Sequence, residues 1–182
     1  MESEQTVATA EPAALKRKRV MIAIDESEAS LFALQWAIEN LFSTAMPPSE
    51  QVAATLVHVQ PPIIQYTYPA GPPGVAAFYL PPSHMDSLRR AQAENSSKLL
   101  SQAKKMCENH EIKAEGVILD GDPKDMICQA TEQMEVDLLV VGSRGLGKIK
   151  RAFLGSVSDY CAHYAKCPVL IVKPPKDTLK RE

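Results

Sequence analysis

Residues 137–158 read DLLVVGSRGLGKIKRAFLGSVS, and this stretch decides how the chain must fold. Asp137 to Val141 is a short, nearly uninterrupted apolar run, as expected of a parallel strand buried on both faces. Gly142, Gly145 and Gly147 follow, then Lys148, Lys150 and Arg151, then Gly155-Ser156 at the head of a new helix. Glycines let a backbone come close to a ligand, the cations add positive charge, and a helix N-terminus offers unpaired N–H groups. Strand, glycine loop, cations and helix start, in that order, make the layout of a phosphate site on an α/β scaffold.

The rest of the chain supplies the scaffold. Val20 to Ile24 (VMIAI) is a second buried-strand run, ending at Asp25. A helix follows from Ser27-Glu28, with Leu31, Leu34, Ile38 and Leu41 on one stripe and Pro47-Pro48 to close it. Val52 to Val59 is β-rich and contains His58, which reads as a satisfied core or edge histidine because no partner is evident. Ser83 to His110 reads as a long helix with Leu88, Ala91, Leu99, Ala103 and Met106 facing the core. Val117 to Leu119 is a short strand, and Asp122-Pro123 with Asp125 caps a further helix through Met126, Ile127 and Ala130. The last helix runs from Ser156 to about Ala165, and Val169 to Val172 is the fifth strand. Strands alternating with helices imply βαβ units, a parallel sheet and right-handed crossovers. Alternation does not fix the strand order.

With 182 residues the chain fits one domain of residues 18–174 between tails at 1–17 and 175–182. Between Gln60 and Pro82 lie seven of the fourteen prolines, with Tyr66, Tyr68, Phe78 and Tyr79 among them. A loop of that length is either functional, its aromatics covering a bound base, or a mobile excursion. A formal net charge of −2 speaks against a dedicated nucleic-acid or membrane-surface protein. No apolar run reaches membrane-span length and no secretion signal is evident, so the expected location is the cytoplasm. The basic run Lys16, Arg17, Lys18, Arg19 reads as solvated charge ahead of a strand, with nuclear import as the other reading. Cys107, Cys128, Cys161 and Cys167 read as free thiols. Cys161 and His163 would point about 200° apart on a helix, which spoils shared metal ligation.

Three nucleotide templates can be laid on the glycine stretch. The dinucleotide fingerprint GxGxxG fails, because Lys150 stands where the third glycine belongs and the first strand is far away. A P-loop nearly fits on Gly142, Gly147 and Lys148, but Ile149 replaces the Ser or Thr that would hold Mg²⁺. The third pattern is Gly142-x2-Gly145-x9-Gly155-Ser156, complete in spacing. With Ile24-Asp25, Leu56-Val57-His58-Val59 and Cys167-Pro168-Val169-Leu170-Ile171-Val172 around it, the chain resembles the ATP-binding branch of the universal stress protein family. The resemblance covers about residues 18–174, and the proline-rich insert and N-terminal extension look like plant members.

What the resemblance implies is a doubly wound five-stranded parallel sheet in order 3-2-1-4-5, Rossmann-like, that binds ATP or AMP with Mg²⁺ or Mn²⁺ on the phosphates. It places Asp25 and Gly142 near the ribose, Ile24 and the Val59 backbone near adenine, and Val141 lining the site. Arg144 and Gly145 would wrap the phosphates, with Gly155, Ser156, Val157 and Ser158 ending the loop. It also implies a homodimer paired through Val169, Leu170, Ile171 and Val172. Plainer roles stand beside these: Asp25 capping the first helix, Ser156 in a capping box with Asp159, glycines that only turn the chain. The function expected is a dimeric stress-response sensor with little or no hydrolysis, because no Walker B-like metal ligand is present. The alternatives are a nucleotide-independent, chaperone-like interaction module and a slow ATPase.

Overall fold

β1 (Arg19–Ala23) has its three central residues buried, so the strand needs cover on both faces. A computed structural model, describing residues 18–42, 52–63, 82–143 and 154–175, shows how that cover is supplied. Val20 and Ile22 join one apolar cluster and Met21 joins another on the opposite face, as the two-residue strand period demands. The remaining elements are α1 (Glu28–Leu41), β2 (Ala53–Gln60), α2 (Pro82–Glu108), β3 (Ala114–Asp120), α3 (Pro123–Gln133), β4 (Leu138–Gly142), α4 (Ser156–Tyr164) and β5 (Val169–Val172). All strands are parallel, in the order β3-β2-β1-β4-β5. The order that alternation left open is the one the resemblance implied.

Leu34, Ala37 and Ile38 of α1 and Leu99, Leu100 and Ala103 of α2 fill the first face. Ile127 and Ala130 of α3 and Cys161 of α4 fill the second. Caps set where the helices begin. Ser27 caps α1, its hydroxyl accepting from the Ser30 N–H at 3.2 Å, and Asp122 caps α3, accepting from the Lys124 N–H at 3.0 Å with Pro123 next. Among the described residues no helix is long and apolar enough to cross a membrane.

Three expectations needed correction. β3 runs seven residues rather than three, because an edge strand is held by its backbone register from Ala54–Ala114 to Gln60–Asp120 and needs no apolar run. α1 ends at Leu41, before Pro47-Pro48, which lie outside the described residues. Leu88 and Ala91 are exposed and not core, although Leu99 and Ala103 are buried as expected. Length explains this. At ~1.5 Å per residue the 27 residues of α2 extend ~40 Å, whereas the 8 residues of β2 reach only ~26 Å. The first turns of α2 therefore overhang the carboxyl edge of the sheet.

Candidate functional site

Beneath that overhang, β1 pairs with β2 on one side and β4 on the other, and the connecting helices leave toward opposite faces. In an open α/β sheet this divergence opens a crevice beyond the strand ends. A cavity of about 730 Å³ occupies it. Its lining includes Ile24, Asp25, Val59, Val141, Gly142, Gly155, Ser156, Val157 and Ser158, which brings together every described residue of the expected set. Arg144 and Gly145 lie outside the described residues.

Asp25 is held in place by its own turn. Its Oδ1 accepts from the Ser27 N–H at 3.0 Å and from the Ser27 hydroxyl. Ser30 closes the arrangement, its hydroxyl donating to the Asp25 carbonyl at 2.7 Å. The helix cap is Ser27, so Asp25 aims the cap residue and is not the cap itself. Glu26 beside it also lines the crevice and is exposed.

The backbone of Val59 faces the same space, as the pairing register requires. Ile24 N–H donates to the Val57 carbonyl at 2.8 Å, so the polar groups of Val57 point toward β1. The Gln60 carbonyl accepts from the Gly121 N–H at 3.0 Å and so points toward β3. Polar groups alternate sides along a strand. Both the N–H and C=O of Val59 must then point where β1 would continue, but the β1 ladder ends at Ala23–Val57. A donor and an acceptor of the same residue are left facing the crevice. His58, also at the crevice, is satisfied: its Nδ1 sits 2.8 Å from the Ile24 carbonyl, and a carbonyl only accepts, so Nδ1 carries the proton.

Gly142 is required by space. A Cβ there would meet the Ala29 carbonyl carbon at 2.7 Å and the Ser30 nitrogen at 2.9 Å. Its missing side chain lets α1 lie against the end of β4. Ser143 then anchors the loop at both ends: its N–H donates to the Val172 carbonyl and its carbonyl accepts from the Gly155 N–H, each at 2.8 Å. The chain thus leaves the site at Ser143 and returns beside it at Gly155.

α4 starts there without a side-chain cap. Gly155 occupies the cap position and Ser156 is the first helical residue, so the capping-box role for Ser156 with Asp159 does not arise. The first intrahelical bond is from the Asp159 N–H to the Gly155 carbonyl at 2.9 Å, which leaves the N–H groups of Ser156, Val157 and Ser158 open to the crevice. Ser158 differs from Ser156. It is buried and its hydroxyl donates to the Gly155 carbonyl at 3.0 Å or the Ser143 carbonyl at 3.3 Å, tying the loop shut, whereas Ser156 is exposed. Three open N–H groups with the positive end of a helix dipole suit an anion.

The reading of the sequence missed the α2 wall, where Leu88, Ala91, Gln92, Asn95 and Ser96 line the cavity. A signal was present. On one helical stripe, apolar Leu99 and Ala103 give way to the amides Gln92 and Asn95. The thiols lie elsewhere. Cys161 is buried under α4 with Cys128 Sγ 3.9 Å away, and His163 points outward, as the helix period required. Among the described residues no three His, Cys, Asp or Glu side chains converge as a metal site.

Comparison with known proteins agrees with this architecture. Residues 16–173 match the model of the universal stress protein family. Universal stress protein PHOS34 of Arabidopsis thaliana is 33% identical over 185 aligned residues, covering 94% of this chain and 68% of that protein. A universal stress protein A-like protein of the same organism is 32% identical over 145 residues, covering 80% of this chain and 78% of that one. Among solved structures, an Arabidopsis thaliana protein of the family crystallised with AMP bound matches with a TM-score of 0.62 at 26% identity, over 91% of this chain and 97% of that chain. UspA of Lactobacillus plantarum matches with a TM-score of 0.65 at 21% identity, over 85% and 97% of the two chains, which speaks to the fold alone. With the family model covering nearly the whole described chain, the protein belongs to the universal stress protein family.

Proposed function

We propose that the protein binds an adenine nucleotide, ATP or AMP, in the crevice and acts as a dimeric stress-response sensor or regulatory module with little or no hydrolysis. The observation that carries the reading is the convergence of three complementary surfaces in one cavity. These are the paired N–H and C=O of Val59 for a base edge, the Asp25 carboxylate for ribose hydroxyls, and the uncapped start of α4 for a phosphate. The AMP bound to a relative of the same fold supports the choice of ligand.

Among the described residues Asp25 and Glu26 are the acids at the cavity, and Oδ1 of Asp25 is engaged by Ser27. Mg²⁺ or Mn²⁺ accompanying the phosphates would rest on phosphate oxygens and water, with no three-residue protein cage among the described residues. Among the described residues Asp25 is engaged by Ser27 and Glu26 is exposed, so neither acid is positioned to orient an attacking water, which favours holding over turnover. The alternative, an interaction module that needs no nucleotide, draws on the apolar edge strand β5 alone.

Titration calorimetry with ATP and AMP tests the reading on the wild type, Ser156→Ala and Gly145→Val. Micromolar affinity, about −8 kcal/mol, is enough for a sensor at millimolar nucleotide. Removing the Ser156 hydroxyl is expected to weaken binding roughly 5- to 150-fold, the equivalent of about 1–3 kcal/mol. Absence of binding by wild type favours the interaction module, and multiple-turnover release of phosphate or pyrophosphate overturns the non-enzyme reading.

A further inference from the structure

The α2 wall of the crevice is pinned to the end of β2 by two amides. Gln92 Nε2 donates to the Pro61 carbonyl at 2.8 Å, and Gln60 Nε2 donates to the Ser96 hydroxyl at 2.8 Å. The Ser96 hydroxyl in turn donates to the backbone carbonyl of Gln92 at 3.0 Å. These bonds fix α2 one and two residues beyond Val59, whose N–H and C=O face the cavity. Gln92 and Ser96 are therefore committed to building the wall.

Asn95 shares the wall and is not committed. It lies three residues from Gln92 on the same helical stripe, it lines the cavity, and its side chain is exposed. Among the described residues its amide makes no hydrogen bond, whereas both of its polar neighbours on the stripe do. An amide offers one acceptor oxygen and one donor nitrogen side by side. That pattern matches the N6 amine and N7 of adenine, the pairing asparagine makes with adenine elsewhere.

We propose that Asn95 reads the N6/N7 edge of the base while the Val59 backbone reads the N1/N6 edge, so that two walls of the crevice select adenine. The inference rests on the nucleotide reading above and goes beyond it by naming the residue that sets base identity. The Val59 carbonyl accepts one proton of the N6 amine and the Asn95 carbonyl accepts the other. The Asn95 amide donates to N7. Hypoxanthine and guanine carry an oxygen at position 6, which would set an acceptor against the fixed carbonyl of Val59 and leave Asn95 able to satisfy only one of the two atoms. Ala91 and Leu88, one and two turns earlier on the same stripe, offer apolar surface to the base.

Calorimetry with AMP, 7-deaza-AMP and IMP on wild type, Asn95→Leu, Asn95→Asp and the off-wall control Glu94→Ala tests this. Wild type and the control are expected to bind AMP about 2- to 13-fold more tightly than 7-deaza-AMP, the worth of the single hydrogen bond to N7. Asn95→Leu, close in size to the amide, is expected to erase that gap, because the N7 donor is gone, while loss of the N6 acceptor weakens AMP and the analogue alike. Asn95→Asp keeps an acceptor for N6 but has no donor for N7, so it erases the same gap while retaining part of the preference over IMP. Far-ultraviolet circular dichroism of each variant checks that the helix persists at this exposed position. A wild type that binds AMP and 7-deaza-AMP equally, or an Asn95→Leu variant that keeps the gap, overturns the role of Asn95 and leaves nucleotide binding standing. A wild type that binds neither overturns the nucleotide reading, and this inference with it.

Discussion

The Nδ1–H of His58 donates to the carbonyl of Ile24 across 2.8 Å, joining β2 to the first residue beyond β1. Ile24 is buried and Asp25 follows it, so this bond fixes the floor from which Asp25 projects. Replacing His58 with Leu leaves a buried carbonyl without its donor, which costs about 1–3 kcal/mol. Urea unfolding is expected to show an unfolding free energy lowered by that amount, read as a lower midpoint at an unchanged m-value, and AMP affinity is expected to fall with it. A loss below about 0.5 kcal/mol would mean the bond adds nothing beyond packing.

Gly142 faces the backbone of Ala29, and here the requirement is for empty space. A methyl at 142 would lie 2.8 Å from the Ala29 carbonyl oxygen as well as 2.7 Å from its carbon, and these are backbone atoms that no side-chain rotation can move aside. Gly142→Ala is expected to destabilise by roughly 1–3 kcal/mol, the range for overpacking, by pushing the start of α1 away from β4. The measurement that separates packing from ligand contact is stability without nucleotide. If Gly142→Ala unfolds at the wild-type midpoint, the close approach of α1 is not what requires glycine.

How far the sequence led can be judged at such positions. Buried strands of Val, Ile and Leu between amphipathic helices made the parallel sheet legible, and the Asp122-Pro123 cap fixed the start of α3 to the residue. β3 was underestimated because an edge strand holding Glu115 and Gly116 carries no apolar run. In the site, spacing brought Gly142, Gly155 and Ser156 to attention, but their roles are set by three-dimensional neighbours. That Gly142 makes room for Ala29, or that Ser158 ties the loop while Ser156 stays exposed, depends on contacts between segments far apart in sequence. The α2 wall was hidden for a related reason. Leu88 and Ala91 look like core residues until the length of α2 is set against the shorter strands beneath it.

The thiols carry a pH signature. Burial is the main cause that raises Cys161 from 9.0 to about 12, with neighbouring Cys128 adding to it, and burial likewise raises Cys107 from 9.0 to about 11. A folded-state value above the unfolded one means the thiols contribute their full stabilisation below pH 9 and lose it as pH rises toward 11 to 12. Each thiol steepens the fall by at most about 1.4 kcal/mol per pH unit in that window. Urea midpoints at pH 8, 9.5 and 10.5 are expected to fall more steeply for wild type than for Cys161→Ala. Parallel slopes would show that Cys161 ionises as easily folded as unfolded.

Dimerisation through β5 can be tested without damaging the sheet, because the register separates inward from outward groups. The Pro168 carbonyl accepts from the Leu139 N–H at 2.9 Å and the Val172 carbonyl from the Ser143 N–H at 2.8 Å, so even-numbered residues of β5 face β4. The N–H groups of Val169 and Ile171 then point to the open edge. Ile171→Pro removes an outward donor and spares the ladder to β4, which is where an edge strand tolerates proline. Light scattering is expected to give twice the chain mass for wild type and the single-chain mass for Ile171→Pro, with circular dichroism unchanged. Leu170→Pro should instead disturb the sheet itself, since its N–H faces β4, and lower stability by roughly 3 kcal/mol or more. A dimeric Ile171→Pro variant would move the interface off this edge.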